Sequence, residues 1–180
     1  MALQDVYDYF RSYDKSTYEV VACQGNEPTE EDVAAFEKKY KMKMPEEFRE
    51  FTMSPLGGLF MEVREEVWPR GKQFDIGPFW SFLRGIMVYG IANNIPDFLS
   101  LEVRTKQLRK EGFKGYIPFL QLIGNGDEVY CFDSNGNVVL LHYYESDEAE
   151  FIGGTFSECL MKQIEELEER KNRKLQQMDG

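Results

Sequence analysis

Residues 117–142, IPFLQLIGNGDEVYCFDSNGNVVLLH, hold three apolar runs separated by two clusters of Gly, Asn and Asp. Each run has strand length and is rich in β-branched and aromatic residues, and each cluster has turn chemistry. The stretch predicts an antiparallel β-meander. Asn135-Gly136 suits a two-residue type I′ turn, because both residues tolerate positive φ. That turn pairs Asp133 with Val138, Cys131 with Leu140 and Val129 with His142. Tyr130, Phe132, Val139 and Leu141 then share the other face. Gly124-Asn125-Gly126-Asp127 forms the second bend. Two ligand-binding readings of the same glycines fail on spacing. A dinucleotide fingerprint would place glycine at Val129 and a helix after it. A calcium loop starting at Asp133 would need glycine at Val138 and glutamate at Tyr144.

Outward from the meander, the pattern alternates between helical and strand periods. Leu3, Val6, Tyr7 and Phe10 predict an amphipathic helix over 2–12, and STYEVVAC (16–23) a strand. Thr29 and Asp32 form a capping box for a helix whose Val33, Phe36 and Tyr40 share a face. MPEEFREF opens another helix at Pro45, with Phe48 and Phe51 pointing to the core. Gly57-Gly58 ends it before the strand LFMEV. Residues 64–80 read as a long loop carrying Trp68 and Trp80, and RGIMVYGIA as a strand. Residues 96–111 read as a helix with Phe98, Leu101, Thr105 and Leu108 on one side. Thr155 and Glu158 open a final helix striped by Phe156, Cys159, Leu160, Gln163, Ile164 and Leu167. The order of elements predicts one α+β domain over 1–167: a mixed, mostly antiparallel sheet flanked by helices, with a charged tail over 168–180.

The composition narrows function. A net charge of −11 on 180 residues repels phosphate backbones and anionic membranes and attracts a basic protein. The three cysteines, Cys23, Cys131 and Cys159, are scattered and form no CxxC, as expected of thiols in a reducing compartment. MALQDVYDYF lacks the basic and apolar regions of a signal peptide, and no apolar run is long enough to span a bilayer. A cytoplasmic location is expected.

No catalytic or cofactor motif emerges. A Cys₃His zinc set exists in inventory, with Cys131 and His142 as diagonal neighbours, but the other thiols lie in unrelated segments. Any Ser-His or Cys-His pair must use His142, which sits mid-strand without a nucleophile elbow. Carboxylate pairs are available by number alone among the 32 acids. No cofactor and no metal are expected. The acidic run Glu145, Asp147, Glu148 and Glu150 is a candidate landing site for a basic partner, with Trp68 and Trp80 as exposed anchors.

PTEEDVAAFEKKYKMKMPEEFREFTMSPLGG (28–58) resembles the opening signature of the SUKH superfamily, with Glu37, Pro45, Phe48, Phe51, Gly57 and Gly58 at matching positions. The meander resembles its second block through Gly126, Asp127, Tyr130 and Asp133. GTFSECLMKQI resembles its closing helix through Phe156 and Leu160. Met44 stands where leucine is usual, Leu56 replaces a polar residue, and residues 61–83 are longer and more aromatic than the pattern. The resemblance implies an α+β fold without a catalytic constellation. It also implies a bacterial immunity protein that neutralises a polymorphic nuclease- or deaminase-like toxin, or a fungal regulator of cell-wall synthesis. The expected function is therefore toxin immunity through binding of a basic toxin domain. A regulatory adaptor in cell-wall or stress signalling is the alternative, and a small carboxylate-dependent hydrolase the third.

Overall fold

The computed structural model describes residues 1–143 and 148–180. In chain order the elements are α1 (Leu3–Ser12), β1 (Tyr18–Val21), α2 (Glu30–Tyr40), α3 (Glu46–Thr52), β2 (Phe60–Val63), β3 (Gly85–Val88), α4 (Leu101–Lys110), β4 (Ile117–Ile123), β5 (Glu128–Phe132), β6 (Val138–His142), β7 (Glu150–Phe151) and α5 (Phe156–Asp179). The capping boxes read at Thr29 and Thr155 are both formed, each threonine accepting the backbone N–H three residues on.

The seven strands form one sheet in sequential order. Every strand pair is antiparallel, so the meander extends across the whole sheet; the parallel pairing expected of a mixed sheet is confined to an isolated bridge between Gly90 and Ser100. Register assigns the faces. Val20, Met61, Ile86 and Leu122 lie in one cross-strand row, and Val21, Phe60, Met87 and Gln121 in the next, on the opposite face. α5 crosses the first face, where Gln163 donates to the Tyr130 hydroxyl and Tyr18 donates to Glu168. α4 packs against β4 on the second face, with the Arg104 guanidinium over the Tyr143 ring.

Between α3, α5 and the sheet lies an aromatic cluster. Phe156 sits 5.2 Å from Phe48, 4.9 Å from Phe51 and 5.7 Å from Phe119, and Phe119 stacks on Phe132 at 4.2 Å. The glycine pair after α3 permits a close approach. A Cβ on Gly57 would stand 2.4 Å from the Thr52 carbonyl oxygen, and Gly58 has φ +65°.

Several expectations are corrected. The β5–β6 turn runs from Asp133 to Asn137, with the Gly136 N–H on the Asp133 carbonyl and the Asp133 N–H on the Asn137 carbonyl. Gly136 alone has positive φ in this turn, as in a type I turn closed by a glycine bulge rather than a type I′ turn. The extra residue slips the register by one: Cys131 faces Val139 and Val129 faces Leu141. Cys131 and His142 therefore lie on opposite faces of the sheet. The 96–111 helix starts only at Leu101, leaving Phe98 in a preceding 3₁₀ turn and 56 % exposed. Glu150, read as part of an acidic loop, belongs to β7. The charged segment 168–180 is no separate tail: α5 runs through it to Asp179, and Lys171 is buried.

Candidate functional site

The Gly124–Asp127 bend is built around Asn125, which is buried. Its carbonyl accepts from Gln121 Nε2 at 2.8 Å, its Oδ1 accepts the Asp127 N–H at 3.2 Å, and its Nδ2 donates to Glu128 Oε2 at 3.0 Å. Gln121 also accepts from the Tyr89 hydroxyl. The other Glu128 oxygen lies 3.2 Å from His142 Nδ1, and His142 Nε2 lies 2.8 Å from Glu150. A polar chain thus runs from Tyr89 through Gln121, Asn125, Glu128 and His142 to Glu150. Both ring nitrogens of His142 face carboxylate oxygens, so both contacts are donor–acceptor pairs when the ring carries two protons.

Asn125, Glu128 and His142 of this chain line a cleft of about 520 Å³, together with Asp127, Glu166, Arg170, Phe79 and Trp80. Arg170 Nε donates to the Leu83 carbonyl at 3.1 Å, and the Arg173 guanidinium lies 4.7 Å from the Trp80 ring centre. Three acids thus converge on one cleft, with an indole and a phenyl ring at its edge.

The aromatic edge continues into the loop before it. Arg84, buried beside β3, pins the start of this loop. Its Nε and Nη2 donate to the Trp68 carbonyl at 2.9 and 2.5 Å, and its Nη1 pairs with Glu62 at 3.0 Å. Trp68 is 1 % exposed. It is a core residue, and its expected role as an exposed anchor is corrected: the indole is the plug that roots the loop. Beyond it, residues 69–79 are all exposed. Phe74 is 88 %, Ile76 100 % and Phe79 58 % exposed, and Phe74 holds φ +72°. Three large apolar side chains in water on one loop are uncommon in a monomeric surface. Sequence reading missed them because it looked only for indoles; the signal was the phrase QFDIGPF itself.

Of the predicted partner-contact residues, Trp80 and Glu150 meet around this region, Glu150 through His142. Glu148 is exposed just ahead of β7. Glu145 and Asp147 lie outside the described residues. Other predicted positions are structural. The buried Glu37 carboxylate accepts the Met44 N–H at 3.1 Å and pairs with Lys43 and Arg49 at 3.0 and 3.3 Å. Burial opposes its ionisation, but these three partners outweigh it and hold the carboxyl below the usual glutamate range. Pro45 precedes the first turn of α3. Asp133 accepts the Asn135 and Asn137 N–H groups, both at 2.9 Å, and so shapes its turn.

The same positions carry a family match. The family model described as SMI1 / KNR4 family (SUKH-1) covers residues 27–162. The chain belongs to the SMI1 / KNR4 family. The matched span begins before the Thr29 cap and ends within α5, so it takes in the Glu37 junction, the glycine pair, the meander and the bend at Asp127. A search of curated proteins finds no match. Members of the SMI1 / KNR4 family are generally non-catalytic, and the family is compatible with immunity or regulatory roles.

Chemically, the carboxylates at the site are suited to meeting a basic side chain. Among the described residues no group of three or more His, Cys, Asp or Glu is arranged to hold a metal ion. Burial raises the Cys131 thiol far above its ordinary value and the Cys159 thiol to about 12, which leaves both poor nucleophiles. No helix among the described residues is long and apolar enough to cross a membrane.

Proposed function

We propose that this chain is a non-enzymatic cytoplasmic binding protein of the immunity class, which occludes a basic toxin domain. The observation that carries the reading is the continuity of two surfaces. The 69–79 loop, which exposes Phe74, Ile76 and Phe79, ends at the rim of a cleft lined by Asp127, Glu128 and Glu166 beside Arg170. Exposed apolar anchors supply contact area, and carboxylates around them steer a cationic partner and reject anionic ones. The net charge of −11 acts in the same direction over longer range. The acidic run over 145–150, with Glu145, Asp147, Glu148 and Glu150, extends the same electrostatic proposal.

The reading expects a toxin gene beside this one, and co-expression with that toxin tests it. The parent chain is expected to restore growth. The triple variant Phe74→Ser, Ile76→Ser, Phe79→Ser is expected to lose protection while unfolding at the parent's temperature, because those side chains are already in water. Reversing Asp127 and Glu166 to lysine should slow association several-fold at low salt. That loss should shrink as screening shortens to about 10 Å near 0.1 M. Full protection by the triple variant would remove the loop from the interface and sink the proposal.

A further inference from the structure

The opposite end of the sheet offers a second surface, with different chemistry. β1 has β2 on one side and no strand on the other among the described residues. The Arg64 N–H donates to the Thr17 carbonyl, and the Cys23 N–H to the Gly57 carbonyl. Odd-numbered residues of β1 therefore aim their backbone groups at β2, while Tyr18, Val20 and Ala22 aim theirs outward. The Tyr18 N–H is taken by the Asp14 carbonyl. The N–H and C=O groups of Val20 and Ala22 have no backbone partner among the described residues. An open edge of this kind is a template for another strand.

The edge adjoins a groove. On the sheet face that α4 leaves uncovered, Val21, Cys23, Phe60, Ile95 and Phe98 line a mainly apolar groove of about 320 Å³. Val21 is 53 % and Phe98 56 % exposed. Glu19, two residues before Val21 and so on the same face, is exposed as well. Backbone donors and acceptors, an apolar slot and a carboxylate thus lie at strand spacing.

We infer that the β1 edge is a docking site for an extended segment of a basic protein partner, which adds antiparallel to β1 as an eighth strand. The segment places an apolar side chain against Val21 at the mouth of the groove. Two residues later, its basic side chain meets Glu19. The residue between them exchanges both backbone hydrogen bonds with Val20. A second copy of this chain is the poorer occupant, since each copy carries −11 and presents Glu19 on this edge. The site does not rest on the cleft reading, because the cleft lies on the other face, around Leu122 and His142.

The test uses a fluorescein-labelled, N-acetylated peptide, Thr-Leu-Val-Lys-Thr-Thr, titrated against the full chain by anisotropy. Saturable binding is expected. N-methylating the valine amide, which faces Val20, should weaken it by about tenfold or more, while N-methylating the lysine amide, which faces solvent, should not. Replacing the peptide lysine with aspartate should weaken binding, and the Glu19→Lys variant should reverse that preference. Phe98→Ser, at an exposed position, should weaken all peptides alike. Equal affinity of the two N-methyl peptides, no binding of the parent peptide, or an unchanged preference in Glu19→Lys would each overturn the proposal. So would a dimer in sedimentation that the peptide dissociates, since the edge would then belong to a second copy. Asp127→Lys with Glu166→Lys should leave peptide binding intact, which separates this site from the cleft.

Discussion

Glu37 ties the end of α2 to the start of α3, and replacing it in two ways separates its jobs. Glu37→Ala leaves the buried Met44 N–H without its acceptor and deprives Arg49, itself mostly buried, of a counter-charge. A buried donor left unpaired costs about 1–3 kcal/mol, and removing one member of a buried ion pair costs about 3–5 kcal/mol in all. The two overlap, so Glu37→Ala should cost about 3–5 kcal/mol, a large share of the roughly 5–15 kcal/mol that holds a domain together. Glu37→Gln keeps an acceptor for Met44 and loses only the charge, so it should cost about 1–2 kcal/mol. The pH dependence follows from the lowered pKa of this carboxyl. A carboxylate held below its unfolded value contributes stability at pH above about 4.3, and that contribution is lost as pH falls through the folded pKa. The gap between parent and Glu37→Gln should therefore be constant from pH 7 to 5, narrow below about pH 4.3 and close as pH falls through the folded pKa. Urea unfolding at pH 7, 5 and 3.5 reads both quantities. A gap that does not narrow at all between pH 5 and pH 3.5, or a Glu37→Ala cost under about 1 kcal/mol, would refute the assignment of Glu37 as an ionised buried strut.

Two other outcomes concern the last helix. Phe156→Ala empties the centre of the aromatic cluster and should cost about 3–5 kcal/mol, a Tm loss of about 6–20 °C at this chain length, read by thermal unfolding. Truncation after Leu167 should destabilise the chain, because Glu168 reaches Tyr18, Arg170 reaches the Leu83 carbonyl and Lys171 is buried. A truncated chain with the parent's urea midpoint would mean those contacts contribute nothing.

Legibility in the sequence tracked the locality of the physics. Capping boxes at Thr29 and Thr155 are contained within four residues, and both are present as read. The apolar stripe from Phe156 to Leu167 is buried as its period predicts. The register of β5 on β6 was one residue out, because Asn135-Gly136 supports more than one turn and Asp133 decides between them. Its carboxylate gathers the Asn135 and Asn137 N–H groups and favours the longer loop. The fate of Trp68 was not legible, since it depends on Arg84, which lies 16 residues further along the chain. The end of α5 looked like a solvated tail because its partners are charges and carbonyls on remote segments, which leave no apolar period. The cleft was visible only in pieces. Gly126 and Asp127 belonged to a family pattern and Trp80 to a loop, and nothing local joined them to Glu166.

The sequential order of the sheet has a consequence for the chain as it is made. Each strand pairs with the one synthesised just before it, so the sheet can assemble in the order in which it emerges from the ribosome. The exception is α5, whose Glu168 must find Tyr18 across a separation of 150 residues. Until the final helix clears the exit tunnel, β3 with its Ile86 and Val88 lacks the helix that packs against it, and part of the hydrophobic face stays uncovered. The interval between the last strand and the last helix is therefore when a chaperone has most to protect.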